Sequence, residues 1–249
     1  MIIDTHSHLQ FDAYDSDREE VIKRTLAENI RCINVGCSLV SSKAAVELAD
    51  KHDGFFAAIG LHPTDVDESL DIQKYRELAR SKKVIAIGEI GLDFFRKPHD
   101  EQKQKEVFLQ QLALAKELNL PVIIHCRAAH EEVIEILRGQ NMRGSIHCFT
   151  GTLEQAKKYV EMGFSLGIGG IIFKFNIDEV IKSLGLEHLL VETDCPYLTP
   201  GPEGIKRNEP IFIKYTIQKI AELKGVSFQE VAEKTTQNSK KLFAIDKNA

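Results

Sequence analysis

Short apolar, β-branched runs recur eight times along this chain, and longer stretches of helical periodicity separate them. The runs are MIIDTH (1–6), RCINVGC (31–37), FFAAIGLH (55–62), KVIAIGEI (83–90), PVIIHC (121–126), GSIHCF (144–149), FSLGIGG (164–170) and LLVETD (189–194). Strands that alternate with helices pair in parallel through right-handed crossovers. Eight such units in 249 residues predict an α/β fold, a (β/α)8 TIM barrel filling residues 1–249 as a single domain. An open doubly wound sheet is the other solution, but the Gly-rich phosphate loop it usually carries after its first strand is missing. The stretch 100–120 predicts a long helix with Val107, Leu109, Leu112, Leu114, Ala115 and Leu118 on one face. Asp15-Ser16 and Ser41-Ser42 read as cap signals before helices at 17–29 and 43–52, and two extra helices are expected near 210–224 and 227–243.

The runs turn polar at one end. His6 and His8 close the first, His62 the third, Glu89 the fourth, His125 the fifth, His147 the sixth and Asp194 the eighth. Strand interiors favour apolar side chains, and the C-terminal ends of barrel strands are where active sites are built. Any one of these residues has a plain explanation as a loop or capping group; six strand ends together do not. Alternate strand residues share a face, so His6 and His8 point one way and Ser7 the other. Imidazole and carboxylate suit a pair of divalent ions, Zn²⁺ or Mn²⁺ and to some degree Mg²⁺. The expected arrangement has His6, His8 and Asp194 on one ion, His125 and His147 on the other, and Glu89 bridging them. A water shared between the ions would ionise near neutral pH as a hydrolytic nucleophile, with Asp194 orienting it and taking its proton.

Composition narrows the class. A net charge of −5 and a pI near 6.0 argue against a protein that coats nucleic acid non-specifically, while leaving room for a small basic cleft. No run reaches the roughly 20 apolar residues of a membrane helix, and Met1 leads into the first strand without a basic leader. The five cysteines are odd in number and lack C-x-x-C spacing, so a reduced, cytoplasmic protein without a membrane partner is expected. Cys126, Cys148 and Cys195 each follow a proposed ligand. Alternation turns Cys126 and Cys148 to the other face, so packing is the expected role.

Seven segments in order resemble the TatD family of metal-dependent deoxyribonucleases, within the amidohydrolase-like hydrolases. They are DTHSHL (4–9), GLHP (60–63), GEIGLDF (88–94), FLQQLALAKELNLPVIIHCRAA (108–129), HCFTG (147–151), ETDCPYL (192–198) and KRNEP (206–210). The resemblance implies a (β/α)8 barrel, the ligand set His6, His8, Glu89, His125, His147 and Asp194, and cleavage of DNA phosphodiesters, often from the 3′ end of single strands, supported by Mg²⁺ or a similar ion. It implies no obligate protein partner. The chain departs from the family pattern at GGIIFKF (169–175), where a Thr commonly precedes Phe-Lys. It departs again at PGPEGI (200–205), where an Arg-Gly pair is frequent. The alternative is an amidohydrolase-type enzyme that cleaves a C–N, ester or phosphotriester bond with the same binuclear site. Glu89 at the bridging position, where many binuclear amidohydrolases use Lys, favours the nuclease branch.

A phosphodiester substrate needs cations or N–H donors beside the ions, because charge builds on the phosphoryl oxygens. Arg127 and His62 are the first candidates. Lys174, Lys206 and Arg207 fall on the same face and could meet flanking phosphates, while the two lysines read equally well as a solvated rim. Phe94, Phe95 and Phe175 read equally as base-stacking groups or as a lid over the core.

Overall fold

The computed structural model describes residues 1–97, 100–201 and 206–245. Eight parallel strands form one sheet in chain order: β1 (Ile2–Ser7), β2 (Ile30–Val35), β3 (Phe55–Ile59), β4 (Val84–Asp93), β5 (Val122–Arg127), β6 (Gly144–Ile146), β7 (Phe164–Ile168) and β8 (Leu189–Val191). Helices α1 (Arg18–Ala27), α2 (Leu39–Lys51), α3 (Ile72–Leu78), α4 (Glu101–Leu118), α5 (His130–Leu137), α6 (Leu153–Glu161) and α7 (Asp178–Ser183) fill the crossovers. The extra helices α8 (Ile213–Lys224) and α9 (Phe228–Phe243) follow β8. The ring closes through the segment after β8. Ser7 pairs with Cys195, the His8 N–H donates to the Cys195 carbonyl at 2.9 Å, and the Asp194 N–H donates to the His6 carbonyl at 2.9 Å. Thr5 Oγ1 adds a bond to the Val191 carbonyl at 3.1 Å.

Two apolar layers hold the ring. The larger joins the outer face of the sheet to the helices. The smaller gathers Ile3, Ile33, Phe56, Ile85, Ile123 and Leu190 from six strands, an assembly that the inside of a ring provides. Phe243 at the end of α9 and Ile245 beyond it join this inner layer. Thr236 of α9 donates to the Met1 carbonyl at 3.1 Å, which places the helix under the N-terminal end of the strands.

Several expected boundaries move. The site residues expected to end strands three, six and eight lie beyond them: β3 stops at Ile59, β6 at Ile146 and β8 at Val191. β4 instead continues to Asp93, carrying Glu89 inside it. Helix α2 starts at Leu39 because Ser38 caps it, accepting from the Ser41 N–H while the Ser41 hydroxyl returns the bond in a capping box. Leu109 is 46% exposed: it lies off the buried face of α4, where Phe108, Gln104 and Gln111 are buried instead. Of the divergent segment 200–205, Pro200 and Gly201 are described and the other four residues lie outside the described residues.

Candidate metal centre

The donors converge at the C-terminal mouth of the barrel. The pairing of β1 with β2 shifts register between Asp4 and Ser7, and both histidines that follow are buried. His6 Nε2 and His8 Nε2 stand 3.1 Å apart, while Ser7 Oγ points away to the Ile33 carbonyl at 3.1 Å. His6 Nε2 lies 3.5 Å from Glu89 Oε2 and 3.8 Å from Asp194 Oδ1, and His8 Nε2 lies 3.4 Å from Asp194 Oδ1. A tetrahedral ion with bonds of about 2.0–2.1 Å separates its ligands by about 3.3–3.4 Å. The four side chains therefore already hold the spacing of a coordination shell. Around the other oxygen of Glu89, His125 Nδ1 lies at 2.8 Å, His62 Nε2 at 3.6 Å and His147 Nε2 at 3.9 Å from Oε1. Three groups meet the spacing of ligands to one ion: His6–His8–Glu89, His62–Glu89–His125 and His6–His147–Glu192. Glu89 belongs to two of them, as a bridging carboxylate must.

Hydrogen bonds on the far nitrogens set which ring nitrogen offers a lone pair. His8 Nδ1 is 2.7 Å from the Val35 carbonyl, which only accepts, so its proton sits there and Nε2 is bare. His125 stands between two carboxylates, with Nε2 3.0 Å from Asp93 Oδ2 and Nδ1 2.8 Å from Glu89 Oε1, so in this structure both nitrogens face acceptors. His147 Nδ1 lies 2.8 Å from Glu192 Oε1, a charge contact too bent for a straight hydrogen bond, and its Nε2 faces Asp194 Oδ1 at 3.6 Å. His6 Nδ1 is buried without a hydrogen-bond partner among the described residues, and its ring stacks on His147 with centroids 3.5 Å apart.

Burial raises the cost of ionising Glu89, yet His62, His6 and His125 together hold its carboxyl well below the usual range. Asp194, only partly buried, is likewise brought below its ordinary value by His147, His8 and His6. Burial opposes protonation of His147, but Glu192 and Asp194 overcome it and push the imidazole up to about 10. Burial pushes His62 below its ordinary value, with Glu89 opposing and His125 adding to the shift. Negative charge thus accumulates at the mouth, where cations are the natural counterweight. Asp194 and Cys148 both adopt left-handed backbone (φ 56° and 47°), which turns the chain sharply as it leaves β8 and β6.

Above these donors opens a cavity of about 540 Å³ lined by His125, His147, Asp194, Arg127, Lys174 and Tyr197 among others. Arg127 ends β5 with its guanidinium 4.0 Å above the ring of Phe95, which is 62% exposed. Phe175 and Tyr197 are also exposed on this rim. Phe94 packs partly buried against the core, with Lys105 over its ring.

Arg207 requires a correction. Its guanidinium donates to both Asp17 oxygens at 2.8 and 2.7 Å, to Glu209 at 3.0 Å and to the Ala13 carbonyl at 2.7 Å, and it lies 4.4 Å above the Tyr14 ring. Its fork is committed inside the fold and does not line the cavity. Cys126 packs against His130 and Tyr159, with its thiol pushed up to about 12 by burial, as packing predicts.

Some participants carried no role in the sequence. Asp93 and Glu192 lie inside the GEIGLDF and ETDCPYL motifs and face His125 and His147, two of the histidines expected as ligands. Glu192 is packed against Gly167, where a Cβ would come within 2.2 Å of its carboxylate. Cys37, just past β2, donates its thiol to Glu89 Oε2 at 3.5 Å. On α4, Gln104 brackets the Asp93 peptide (2.9 and 3.1 Å) and Gln111 brackets the Leu61 peptide (2.7 and 3.0 Å). Two buried polar residues seven apart in a helix otherwise facing a core are a signal that the sequence does contain.

A family model described as TatD related DNase matches residues 3–244. The chain belongs to the TatD family. TatD relatives cover it almost end to end. An uncharacterized metal-dependent hydrolase, YabD, of Bacillus subtilis (strain 168) is 45% identical over 99% of this chain and 100% of its own length. The 3′-5′ ssDNA/RNA exonuclease TatD of Pantoea ananatis is 36% identical over 98% of this chain and 100% of its own. The crystal structure of the TatD homolog YjjV from Escherichia coli K12 superposes with a TM-score of 0.92 at 30% identity, covering 98% of both chains. A TatD-type metal-dependent hydrolase is also what the donor spacing describes. No helix among the described residues is long and apolar enough to cross a membrane.

Proposed function

We propose that this chain, acting as one domain, is a two-ion nuclease that removes nucleotides from the 3′ ends of single-stranded DNA. The observation that carries the reading is the pairing of a donor cluster at ligand spacing with a cavity rimmed by cations and exposed aromatic rings. Zn²⁺, Mn²⁺ or Mg²⁺ would supply Lewis acidity and an activated water. His6, His8 and Asp194 would hold one ion, His125 and His147 the other, and Glu89 would be shared between them. Asp194 also accepts the proton of the attacking water, since its carboxylate faces the same space. Arg127 and Lys174 meet phosphoryl oxygens, and His62 stands beside the reacting phosphate. The Phe95, Phe175 and Tyr197 rings offer faces on which unpaired bases stack, a contact that a duplex cannot make. The name of the Pantoea relative supports the same polarity and substrate. A net charge of −5 confines the attraction to this mouth, which suits a strand end and a cytoplasmic enzyme that works without a partner protein.

The test is a time course on 5′-labelled single-stranded DNA with Mg²⁺ or Mn²⁺, beside Glu89→Ala and Asp194→Ala. A stepwise ladder lost in both variants is expected. No cleavage by the metal-loaded wild type, with rapid turnover of an amide or ester panel, would overturn the reading.

A further inference from the structure

Five histidines surround Glu89, and one of them is wired in reverse. His62 caps the short 3₁₀ turn Pro63–Asp65: its Nδ1 accepts the backbone N–H of Thr64 at 3.1 Å, and the Thr64 hydroxyl stands 2.6 Å from the same atom. A backbone N–H can only donate, so Nδ1 must be bare. The proton of the neutral ring then sits on Nε2, the atom that looks into the site from 3.6 Å off Glu89 Oε1. That distance is too long for a hydrogen bond, and nothing among the described residues accepts from this N–H. At His8, His125 and His147 the far nitrogen faces a carbonyl or carboxylate oxygen instead, an acceptor, whereas the far nitrogen of His62 faces a donor. The His62 loop is held in place by Gln111, which brackets the preceding Leu61 peptide.

We infer that His62 is not a metal ligand, although its spacing fits one, but a neutral N–H donor that binds a non-bridging oxygen of the scissile phosphate. The ring reaches this state through a fixed cap, so it presents a preorganised donor without gaining or losing a proton. The assignment rests on the nuclease reading for the identity of the oxygen. The tautomer and the exclusion from the metal shell do not.

Three measurements separate these parts. Long-range ¹⁵N–¹H correlation spectra of the Zn²⁺-loaded protein are expected to show His62 protonated on Nε2 alone; a proton on Nδ1 would overturn the inference. His62→Leu is expected to bind as many ions as wild type with affinities within a few-fold, and a lost or tenfold weaker ion would make His62 a ligand after all. On single-stranded DNA the same variant is expected to lose on the order of 10²–10³ in kcat with little change in KM. His62→Gln, whose amide N–H reaches toward the position of Nε2, should restore at least tenfold. An unchanged kcat in His62→Leu would refute the donor role. If the wild type fails to cut DNA, the nuclease reading falls and so does the phosphate contact, while the spectra and the ion count still decide the wiring.

Discussion

Asp93 and Glu192 each face the outward nitrogen of a histidine proposed as a ligand, and Glu192 also belongs to the His6–His147–Glu192 group at ligand spacing. A carboxylate there fixes the ring and raises its basicity, and its removal typically costs about 10–100-fold in metal affinity. His8 has only a carbonyl behind it, and His6 Nδ1 has no partner among the described residues. The two proposed ion positions would therefore be supported unequally. In titration calorimetry, Asp93→Asn and Glu192→Gln should weaken one of two binding events by about 10–100-fold and leave the other nearly unchanged. Equal weakening of both would show that the shell is shared more evenly than these contacts indicate. Sequence alone revealed the six inward-facing groups because each breaks the apolar pattern of a strand end. It was silent on Asp93 and Glu192 because their partners lie 32 and 45 residues away, so only the folded ring brings them together. Arg207 misled for the same reason: its partner Asp17 lies 190 residues upstream.

Helix α4 acts on the site through two amide side chains. Gln104 and Gln111 each satisfy both polar groups of a peptide, at Asp93 and at Leu61, that burial would otherwise leave unpaired. Replacing either by Leu strands buried backbone groups at roughly 1–3 kcal/mol, and Gln111→Leu should reduce turnover besides, because His62 follows Leu61. Urea melts beside steady-state kinetics separate the two effects. Helix α5 starts at His130, whose Nδ1 lies 3.2 Å from both Cys126 Sγ and Tyr159 Oη. Burial pushes this imidazole down from 6.5 to about 4. Between those values the unfolded chain binds the extra proton, so stability falls as pH drops from about 6.5 toward 4. The urea midpoint should decline between pH 7 and pH 5, and decline less in His130→Phe. At this scale the alternation of runs and helical stretches was enough to place all eight strands. The ends were not legible where the last residues of a run leave the sheet to serve the site, as at His147 and Asp194.

For the molecule as a whole, the inner apolar layer reaches α9 through Phe243, which is 2% exposed. Phe243→Ala should cost about 3–5 kcal/mol, read as a lower thermal midpoint. Chelation acts differently. An ion that binds only the folded state adds about 2.7 kcal/mol when present at 100 times its dissociation constant. Stripping the metals should therefore lower the melting temperature while leaving a cooperative transition, and outright unfolding at 25 °C would mean that the ions hold the barrel together.

The seam between β1 and the segment after β8 has a consequence for the order in which the protein matures. His6 and His8 are made at the start of synthesis and Asp194 nearly two hundred residues later, yet backbone bonds from His6 to Asp194 and from His8 to Cys195 set all three side by side. A nascent chain that has not yet released its final strand carries all five site histidines and still lacks Asp194, one wall of this pocket. If the proposed ion sits here, tight occupancy would be a property of finished chains, and a truncated or stalled product would be recognisable by the ion it fails to keep.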